Sequence, residues 1–375
     1  MPLDLDAIPI VDNHCHSLLR DQPADDAAFR NHLTESYYPE IARDHVQHSL
    51  VYHWAIRELA AFFGCEPRPD AVHEARRAWG VERIAREVVE RANFKTWLID
   101  TGYGGDTTFS LDELRAMTGV EVREILRLEP VIERLIVAAA DFDDLLERYA
   151  AELADLRVSG YVGMKSVIAY RTGLRIGRVD RTAAGEAFEG PHAAAKRDGR
   201  VRIESKPLLD HLIVLAVEAA ADQNVPIQFH TGLGDPDLDL TEVDPAALRL
   251  IFSDAYRGAP IVLLHTGYPY VRSMAWCAAM FPNVYADFGE VTLFVAGDLA
   301  AIARELIGLA PASKVLFSTD ASLVPELYWL GARAGRTALG SVLTEHVAAG
   351  LLDERAATEM AELMLWRNAE RVYRL

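Results

Sequence analysis

The chain has 375 residues, half of them hydrophobic and a quarter charged, which is typical of a soluble globular protein. Its formal net charge of −18 disfavours nucleic acid and anionic membranes as partners, because both attract basic surfaces. The three cysteines are too widely spaced for a disulfide framework or a Cys-x-x-Cys zinc site, and they indicate a cytoplasmic protein. No apolar run reaches the roughly 18 residues that a membrane-spanning helix requires.

Two histidines follow the first apolar run of the chain. Ile8, Ile10 and Val11 predict a short buried strand, and His14 and His16 come at its C-terminal end. Residues i and i+2 of a strand share one face, so we expect both imidazoles to point into the same space. Neutral imidazoles are ligands for Zn, Fe, Ni or Mn. A His-x-His pair alone is a weak signal, and the remaining strands decide whether it marks a metal site.

Apolar segments alternate with helical patterns along the rest of the chain. Short strands separated by helices indicate an α/β fold with a parallel sheet, and eight such units predict a (β/α)₈ TIM barrel. An open doubly wound sheet is the alternative, but no Gly-x-Gly-x-x-Gly motif follows any strand. After the first strand, the predicted strands lie at 96–102, 122–129, 160–167, 225–230, 260–265, 283–288 and 315–320.

Residues 25–93 are rich in Ala, Arg, Glu and aromatic residues and predict several helices, more than a simple crossover requires. We therefore interpret residues 1–375 as a single (β/α)₈ domain with a helical insertion, 25–93, between strands 1 and 2. Loops on the mouth side of a barrel carry function, so the insertion is expected to form a lid or wall over the site. Its five histidines are expected at the surface or in the core, although one could reach the mouth.

Residues of metal-ligand type end five of the eight predicted strands. The C-terminal ends of barrel strands converge on one mouth, where active sites lie. Chance could supply one or two such residues, but a set on five strands is difficult to explain by chance. The set consists of His14 and His16 on strand one, Lys165 on strand four, His230 on strand five, His265 on strand six and Asp320 on strand eight.

The same segments resemble a known family. The chain is similar to the metal-dependent amidohydrolase superfamily, and within it to the amidohydrolase-2 branch, particularly the amidohydrolase domain that is fused to glutamine synthetase in some proteins. The resemblance spans nearly the whole chain and is specific for the superfamily, not for a substrate. It rests on VDNHCHS at 11–17, MKSVIAYR at 164–171, QFHTGLGD at 228–235, LLHTGYP at 263–269, DFGE at 287–290 and FSTDA at 317–321.

The resemblance implies roles for the matching positions. The histidine pair on strand one and Asp320 would hold one divalent metal, while His230 and His265 would hold a second or complete a mononuclear site. Lys165 lies where several family members carry a carbamylated lysine that bridges two metals, a modification that a ligand role requires because an unmodified ammonium has no lone pair. The alternative is an ordinary lysine that hydrogen-bonds the substrate or stays away from the metal. We expect one or two divalent ions, with Zn favoured and Mn, Fe and Ni as alternatives.

These residue types favour hydrolysis of an amide-type C–N bond. A divalent metal activates water and polarises the substrate, and Asp320 would serve as general base and then general acid. Lys165 is expected to take part in catalysis, and as a bridging carbamate it favours hydrolysis. The alternative activity is a metal-dependent decarboxylase, because the branch contains both reactions. A barrel that lost catalysis is disfavoured by the intact ligand set.

A second group of residues suggests a small-molecule substrate that bears a carboxylate. Arg127 lies on predicted strand three and Arg171 lies just after strand four, and arginine binds carboxylates in a bidentate manner. Glu129 would share a strand face with Arg127, and Tyr170 and Tyr268 lie beyond strand ends. Substrate binding is one role for these five residues, and purely structural roles remain the alternative. A homo-oligomer is a further expectation that the sequence leaves open.

Overall fold

The computed structural model describes residues 3–375 and contains one parallel sheet of eight strands. The strands pair in chain order, each with the next. Asn13 N donates to Phe317 O at 3.1 Å and Asp320 N donates to His14 O at 3.0 Å, so the last strand returns to the first. The TIM barrel is confirmed. Its strands are β1 (Ile10–Cys15), β2 (Phe94–Asp100), β3 (Glu121–Arg127), β4 (Tyr161–Ser166), β5 (Ile227–Phe229), β6 (Ile261–Leu263), β7 (Val284–Asp287) and β8 (Val315–Leu316).

Helices separate the strands and cover the outside of the barrel. β1 and β6 are buried along their whole length, as expected for parallel strands covered by helices, whereas β3 exposes Glu121 and Arg123 near its start. The helices are α1 (Asp26–Phe29), α2 (Leu50–Phe63), α3 (Pro69–Arg91), α4 (Leu111–Thr118), α5 (Leu128–Ala138), α6 (Phe142–Leu153), α7 (Arg181–Asp198), α8 (Lys206–Gln223), α9 (Val271–Met280), α10 (Val291–Phe294), α11 (Leu299–Ile307), α12 (Pro325–Ala348), α13 (Glu354–Glu362) and α14 (Asn368–Tyr373).

The insertion between β1 and β2 contains α1, α2 and α3, as the sequence predicts. Ser49 caps α2 by accepting a hydrogen bond from Tyr52 N, and Gly80, with a φ of 71°, divides α3 into two helical parts. A buried ion pair between Arg76 of α3 and Glu326 of α12 attaches the insertion to the barrel. The same guanidinium donates to Pro23 O at 2.6 Å. The insertion is therefore fixed at its base by a buried charge pair.

The C-terminal helix α14 packs against a small apolar cluster that includes Val11 of β1 and Leu98 of β2. Tyr373 Oη donates to Asn13 Oδ1 at 3.1 Å and accepts a hydrogen bond from Gln228 Nε2 at 2.8 Å. Asn13 precedes His14, and Gln228 lies two residues before His230. A buried polar network thus supports the strands that carry the histidines.

The prediction that Glu129 lies on strand three is wrong. The strand ends at Arg127, and Glu129 lies in the first turn of α5, where Pro130 is favourable for a helix start. Its buried carboxylate accepts hydrogen bonds from Ser166 Oγ at 2.7 Å and Val167 N at 2.9 Å. Glu129 therefore fixes the end of β4.

None of the helices within residues 3–375 combines the length and apolar character needed to cross a membrane.

We expect Gly335→Ala to destabilise the protein by about 1–3 kcal/mol, although alanine normally favours a helix. A methyl group at this position of α12 would overlap the ring of Phe317, which is fully buried. Urea denaturation followed by circular dichroism measures the change. The control is the same substitution in a Phe317→Leu background, where the smaller side chain should remove much of the penalty. An equal penalty in both backgrounds would contradict the steric explanation.

Candidate metal centre

His14, His16 and Asp320 form a compact group at the C-terminal ends of β1 and β8. The Nε2 atoms of both histidines lie 3.2 Å from Asp320 Oδ1, and all three residues satisfy the spacing of metal ligands. Asp320 adopts a φ of 54°, which is uncommon for residues other than glycine. The backbone is therefore held in an unfavourable conformation where it presents this carboxylate.

Backbone carbonyls fix which imidazole nitrogen is free at two of the histidines. A carbonyl oxygen only accepts, so His16 Nδ1–H donates to Asp100 O at 3.0 Å and leaves a lone pair on Nε2. In the same way His230 Nε2–H donates to Leu233 O at 2.7 Å and leaves a lone pair on Nδ1. Such second partners are typical of metal-binding histidines.

The arrangement of acceptors fits a divalent cation. The lone pair of His16 Nε2 faces Asp320 Oδ1 at 3.2 Å, and two acceptors at this distance repel unless a proton or a cation lies between them. Asp320 Oδ1 is buried and has no hydrogen-bond partner among residues 3–375. Imidazole nitrogen combined with carboxylate oxygen suits Zn, Mn, Fe or Ni.

His230, His265 and Glu290 form a second group with the spacing of metal ligands. The ring centroids of His230 and His265 are 4.4 Å apart, and His265 lies 5.9 Å from His14, so the two groups are adjacent. Glu290 Oε1 and His265 Nε2 are buried without partners among the described residues. Glu290 was not among the predicted ligands, although its segment DFGE was recognised.

Lys165 lies between the groups. It is 1% exposed, and its Nζ lies 3.2 Å from His14 Nε2. Burial lowers the pKa of this amine to about 8, against the opposing effect of the Asp320 carboxylate. Burial also lowers the pKa of His14 to about 4, and the nearby Lys165 charge acts in the same direction. At neutral pH His14 is therefore uncharged, as a ligand must be.

A cavity of about 500 Å³ opens above these groups. Its size suits a small metabolite. The structure brings eight of the predicted site residues to its lining, whereas Glu129, Tyr268 and the fully buried His265 lie outside it. The eight are His14, His16, Arg127, Lys165, Tyr170, Arg171, His230 and Asp320.

The two predicted arginines differ in how they are neutralised. Arg127 is paired with the buried carboxylate of Asp100 through contacts of 2.6 to 3.1 Å. Burial acts to raise the pKa of Asp100, but Arg127 together with the neighbouring His16 and His14 holds this pKa well below its usual range. Arg171 has only a 3.6 Å contact with Glu133, and its Nε is buried without a partner among the described residues. Of these two arginines, Arg171 is therefore the one whose charge is less neutralised by a carboxylate partner.

The insertion forms one wall of the cavity, but the sequence did not predict which of its residues line that wall. Tyr37 reaches across to the loop after β5, where its hydroxyl donates to Asp237 Oδ1 at 2.9 Å. One insertion histidine, His32, reaches the cavity. No periodicity distinguishes this irregular segment, so the sequence carries no signal for its contacts. The lining residues from the insertion are Asn31, His32, Thr34, Glu35, Ser36 and Tyr37.

Comparison with known proteins places these features in context. The sequence profile of a family described as Amidohydrolase matches residues 131–375, more than half of the chain. Protein fluG of Emericella nidulans is 29% identical over 98% of the chain. The chain spans about half of that relative, 46% of its length.

Solved structures show the same architecture. A protein from Lactobacillus casei ATCC 334, provisionally described as a metal-dependent hydrolase, has a TM-score of 0.89 and 28% identity, covering 100% of this chain and 98% of that one. A uronate isomerase from Bacillus halodurans has a TM-score of 0.68 and 12% identity, covering 98% of this chain and 94% of that one. At this identity the second similarity shows the fold alone.

Proposed function

Because the chain belongs to the amidohydrolase family, we propose that it is a metal-dependent hydrolase that cleaves an amide-type C–N bond in a small, carboxylate-bearing molecule. One observation carries the proposal: unprotonated imidazole nitrogen and carboxylate oxygen face each other at 3.2 Å beneath a cavity of metabolite size. The provisional description of the Lactobacillus casei protein supports the same class of activity.

His14, His16 and Asp320 would hold one divalent ion, and His230, His265 and Glu290 are suited to a second. When bound, such an ion supplies Lewis acidity, which polarises a substrate carbonyl and lowers the pKa of a water molecule. Zn is the first choice for this ligand set, with Mn, Fe and Ni as alternatives.

Asp320 would move the proton in the reaction. Its carboxylate contacts His14 and His16 through Oδ1, while Oδ2 lies 3.7 Å from His265 Nδ1. It would accept a proton from the attacking water and pass it to the amine that leaves. The carboxylate is thus placed to act first as base and then as acid.

Lys165 would act as a carbamate. As an ammonium, its Nζ would donate to His14 Nε2 and occupy the lone pair that metal binding requires. Addition of carbon dioxide to the neutral amine, with loss of a proton, would replace this competing cation with anionic oxygens. The lowered pKa of the amine, about 8, favours the neutral form that this step needs. Intact mass measured under carbon dioxide would detect the added group.

Arg171 is the best candidate to bind the substrate carboxylate. Its Nε lacks a partner among the described residues, whereas Arg127 is already engaged by Asp100. Tyr170 lines the cavity beside His230, with ring centroids 4.5 Å apart, and would contact the same substrate. Glu129 and Tyr268 lie outside the cavity lining, so substrate contact by them has no geometric support.

The test uses protein purified without chelator and analysed for metals, then incubated with carboxylate-bearing amides. Release of an amine with one equivalent of acid would support the proposal. Release of carbon dioxide without an amine, from aromatic or enoic acids, would replace it with a metal-dependent decarboxylase. Protein that contains no metal and takes up none on soaking would refute both.

We expect His14→Ala and His16→Ala to abolish tight binding of the ion assigned to the first group while the barrel remains folded, because each removes one of the three ligands of that group. Elemental analysis after dialysis measures the metal content, and circular dichroism verifies folding. His48→Ala is the matched control, since that histidine is exposed on the insertion. Wild-type metal content in both site variants would rule out the assigned ligands.

A further inference from the structure

The C-terminal helix α14 lies at the end of the barrel that is opposite the cavity. Asn368 Nδ2 donates to the carbonyl oxygen of Val315, the first residue of β8, at 2.8 Å. Glu370 forms an ion pair with Lys95, the second residue of β2. The helix therefore covers the N-terminal ends of the strands, whereas the candidate metal ligands lie at the C-terminal ends.

Tyr373 extends from α14 into the interior of the barrel. Its side chain is fully buried, and its ring lies beside Gly163 of β4, where an added Cβ atom would come within 3.1 Å of Tyr373 Cε1. At the tip of the ring, Oη donates to Asn13 Oδ1 at 3.1 Å and accepts from Gln228 Nε2 at 2.8 Å. Asn13 directly precedes His14, so the hydroxyl group bonds to the neighbour of a candidate ligand.

The hydrogen bonds continue from Asn13 to the second group of candidate ligands. Asn13 Nδ2 donates to Asp287 Oδ2 at 2.6 Å, and Asp287 Oδ1 accepts from His265 N at 3.3 Å. Gln228 Nε2 also donates to Asn13 O at 2.6 Å, and Gln228 lies two residues before His230. One connected set of hydrogen bonds thus joins the tyrosine hydroxyl to the segments that carry both ligand groups.

A polar layer at this depth calls for a reason beyond filling space. Branched apolar side chains dominate the interiors of such barrels, and buried amide and hydroxyl groups cost free energy unless they are hydrogen-bonded. Here the layer lies between the apolar cluster that contacts α14 and the histidines at the mouth. Directional hydrogen bonds at this level restrict the backbone on which the ligands are mounted, which apolar contacts alone would not do.

We propose that Tyr373 is a positioning residue of the metal centre, and that its hydroxyl group, through Asn13 and Gln228, fixes the strand ends that carry His14 and His230. This inference rests on the proposed function, since it concerns the ligands of the same centre. Hydrogen-bonding groups behind metal ligands commonly change metal affinity about 10- to 100-fold when they are removed. The C-terminal helix is then a part of the metal centre, although it lies at the other end of the barrel.

Tyr373→Phe removes the hydroxyl group and keeps the ring beside Gly163. The full-length protein, freed of metal by chelator and dialysed, is titrated with Co²⁺, whose visible absorption reports both affinity and ligand geometry. We expect the dissociation constant to rise about tenfold and the visible bands at saturation to shift or change intensity. Tyr149→Phe is the matched control and should match the wild type in both. Its hydroxyl group is also buried but has no hydrogen-bond partner among residues 3–375.

A second variant keeps the test decisive if Tyr373→Phe folds poorly. Gln228→Met removes the donor to Tyr373 Oη with a side chain of similar length, and it should also weaken Co²⁺ binding. In the double variant the combined loss should be smaller than the product of the two single losses, because both changes act on one network. Circular dichroism and the urea midpoint of each metal-free protein report folding separately from metal affinity.

Two results would overturn the positioning role while the wild type still binds Co²⁺ and hydrolyses amides. One is a Tyr373→Phe variant that loses stability in urea but keeps the wild-type dissociation constant and spectrum, because the hydroxyl group would then serve the fold alone. The other is an equal loss of affinity in Tyr149→Phe. If Tyr373→Phe weakens Co²⁺ binding as expected but no amide is hydrolysed by the wild type, the positioning role stands and the proposed reaction fails. Wild-type protein that binds no Co²⁺ would refute both.

Discussion

Asp320→Asn should lower turnover by about 10²- to 10⁴-fold, the usual contribution of a positioned acid–base group. The amide of asparagine cannot accept a proton near neutral pH, but its oxygen can still face His14 and His16, which lie 3.2 Å from Oδ1 in the wild type. We therefore expect most of the metal content to remain. Steady-state kinetics on metal-loaded protein, with elemental analysis of the same sample, separates lost proton transfer from lost metal.

The pattern of kinetic constants gives a second check on Asp320. Loss of proton transfer lowers kcat and leaves KM nearly unchanged, because Asp320 is not expected to bind the substrate in its ground state. Asp320→Ala removes the oxygen ligand as well and should lose both metal and activity. Activity of Asp320→Asn within a few-fold of the wild type would contradict the assignment of Asp320 as the base.

Arg76→Leu should destabilise the protein by about 3–5 kcal/mol, since it leaves the charge of Glu326 buried without a partner. Arg76 is 4% exposed and Glu326 is fully buried, and the pair connects the insertion to α12. The same change removes the donors to Pro23 O and Gln22 Oε1. The urea midpoint, followed by tryptophan fluorescence, measures the loss.

A double substitution distinguishes an unpaired charge from a general packing defect. Arg76→Leu combined with Glu326→Leu removes both charges, and it should recover much of the stability that the single change loses. If the double variant is less stable than Arg76→Leu, the penalty comes from packing and not from the orphaned carboxylate.

The sequence predicted the barrel well because its strands are short apolar runs bounded by helices. The prediction erred at strand ends, where periodicity is weakest. Strand eight was expected to extend to Asp320, but β8 ends at Leu316, and the residues after it reach β1 through separate backbone hydrogen bonds to Asn13 and His14. The chain after β8 still carries Asp320 to the mouth, so the site residue was identified although the predicted strand was too long. Glu129 was placed on the wrong element because the alternating strand pattern was extended two residues past the strand end, into the first turn of α5.

Whether a residue of the candidate site could be predicted depends on which part of the chain places its side chain there. Residues at strand ends, such as His14 and His230, could be predicted because the barrel fixes where those ends meet. Glu290 required the turn after β7, which brings its backbone N within 3.3 Å of His265 Nδ1. Glu35 required the path of an irregular insertion. Local periodicity predicts neither the turn after β7 nor the course of the insertion, so the positions of these two carboxyl groups are seen only in the three-dimensional structure.

The buried Arg76–Glu326 pair attaches the insertion at its base, while residues 31–37 face the cavity. The ligand-type residues belong to the strand ends, and the groups that would discriminate between substrates belong partly to this separate segment. The residues of the insertion that line the cavity can therefore change without a change in the ligand-type residues at the strand ends. Exchange of residues 31–37 between relatives is a route to altered substrate preference that leaves the histidines and the core unchanged.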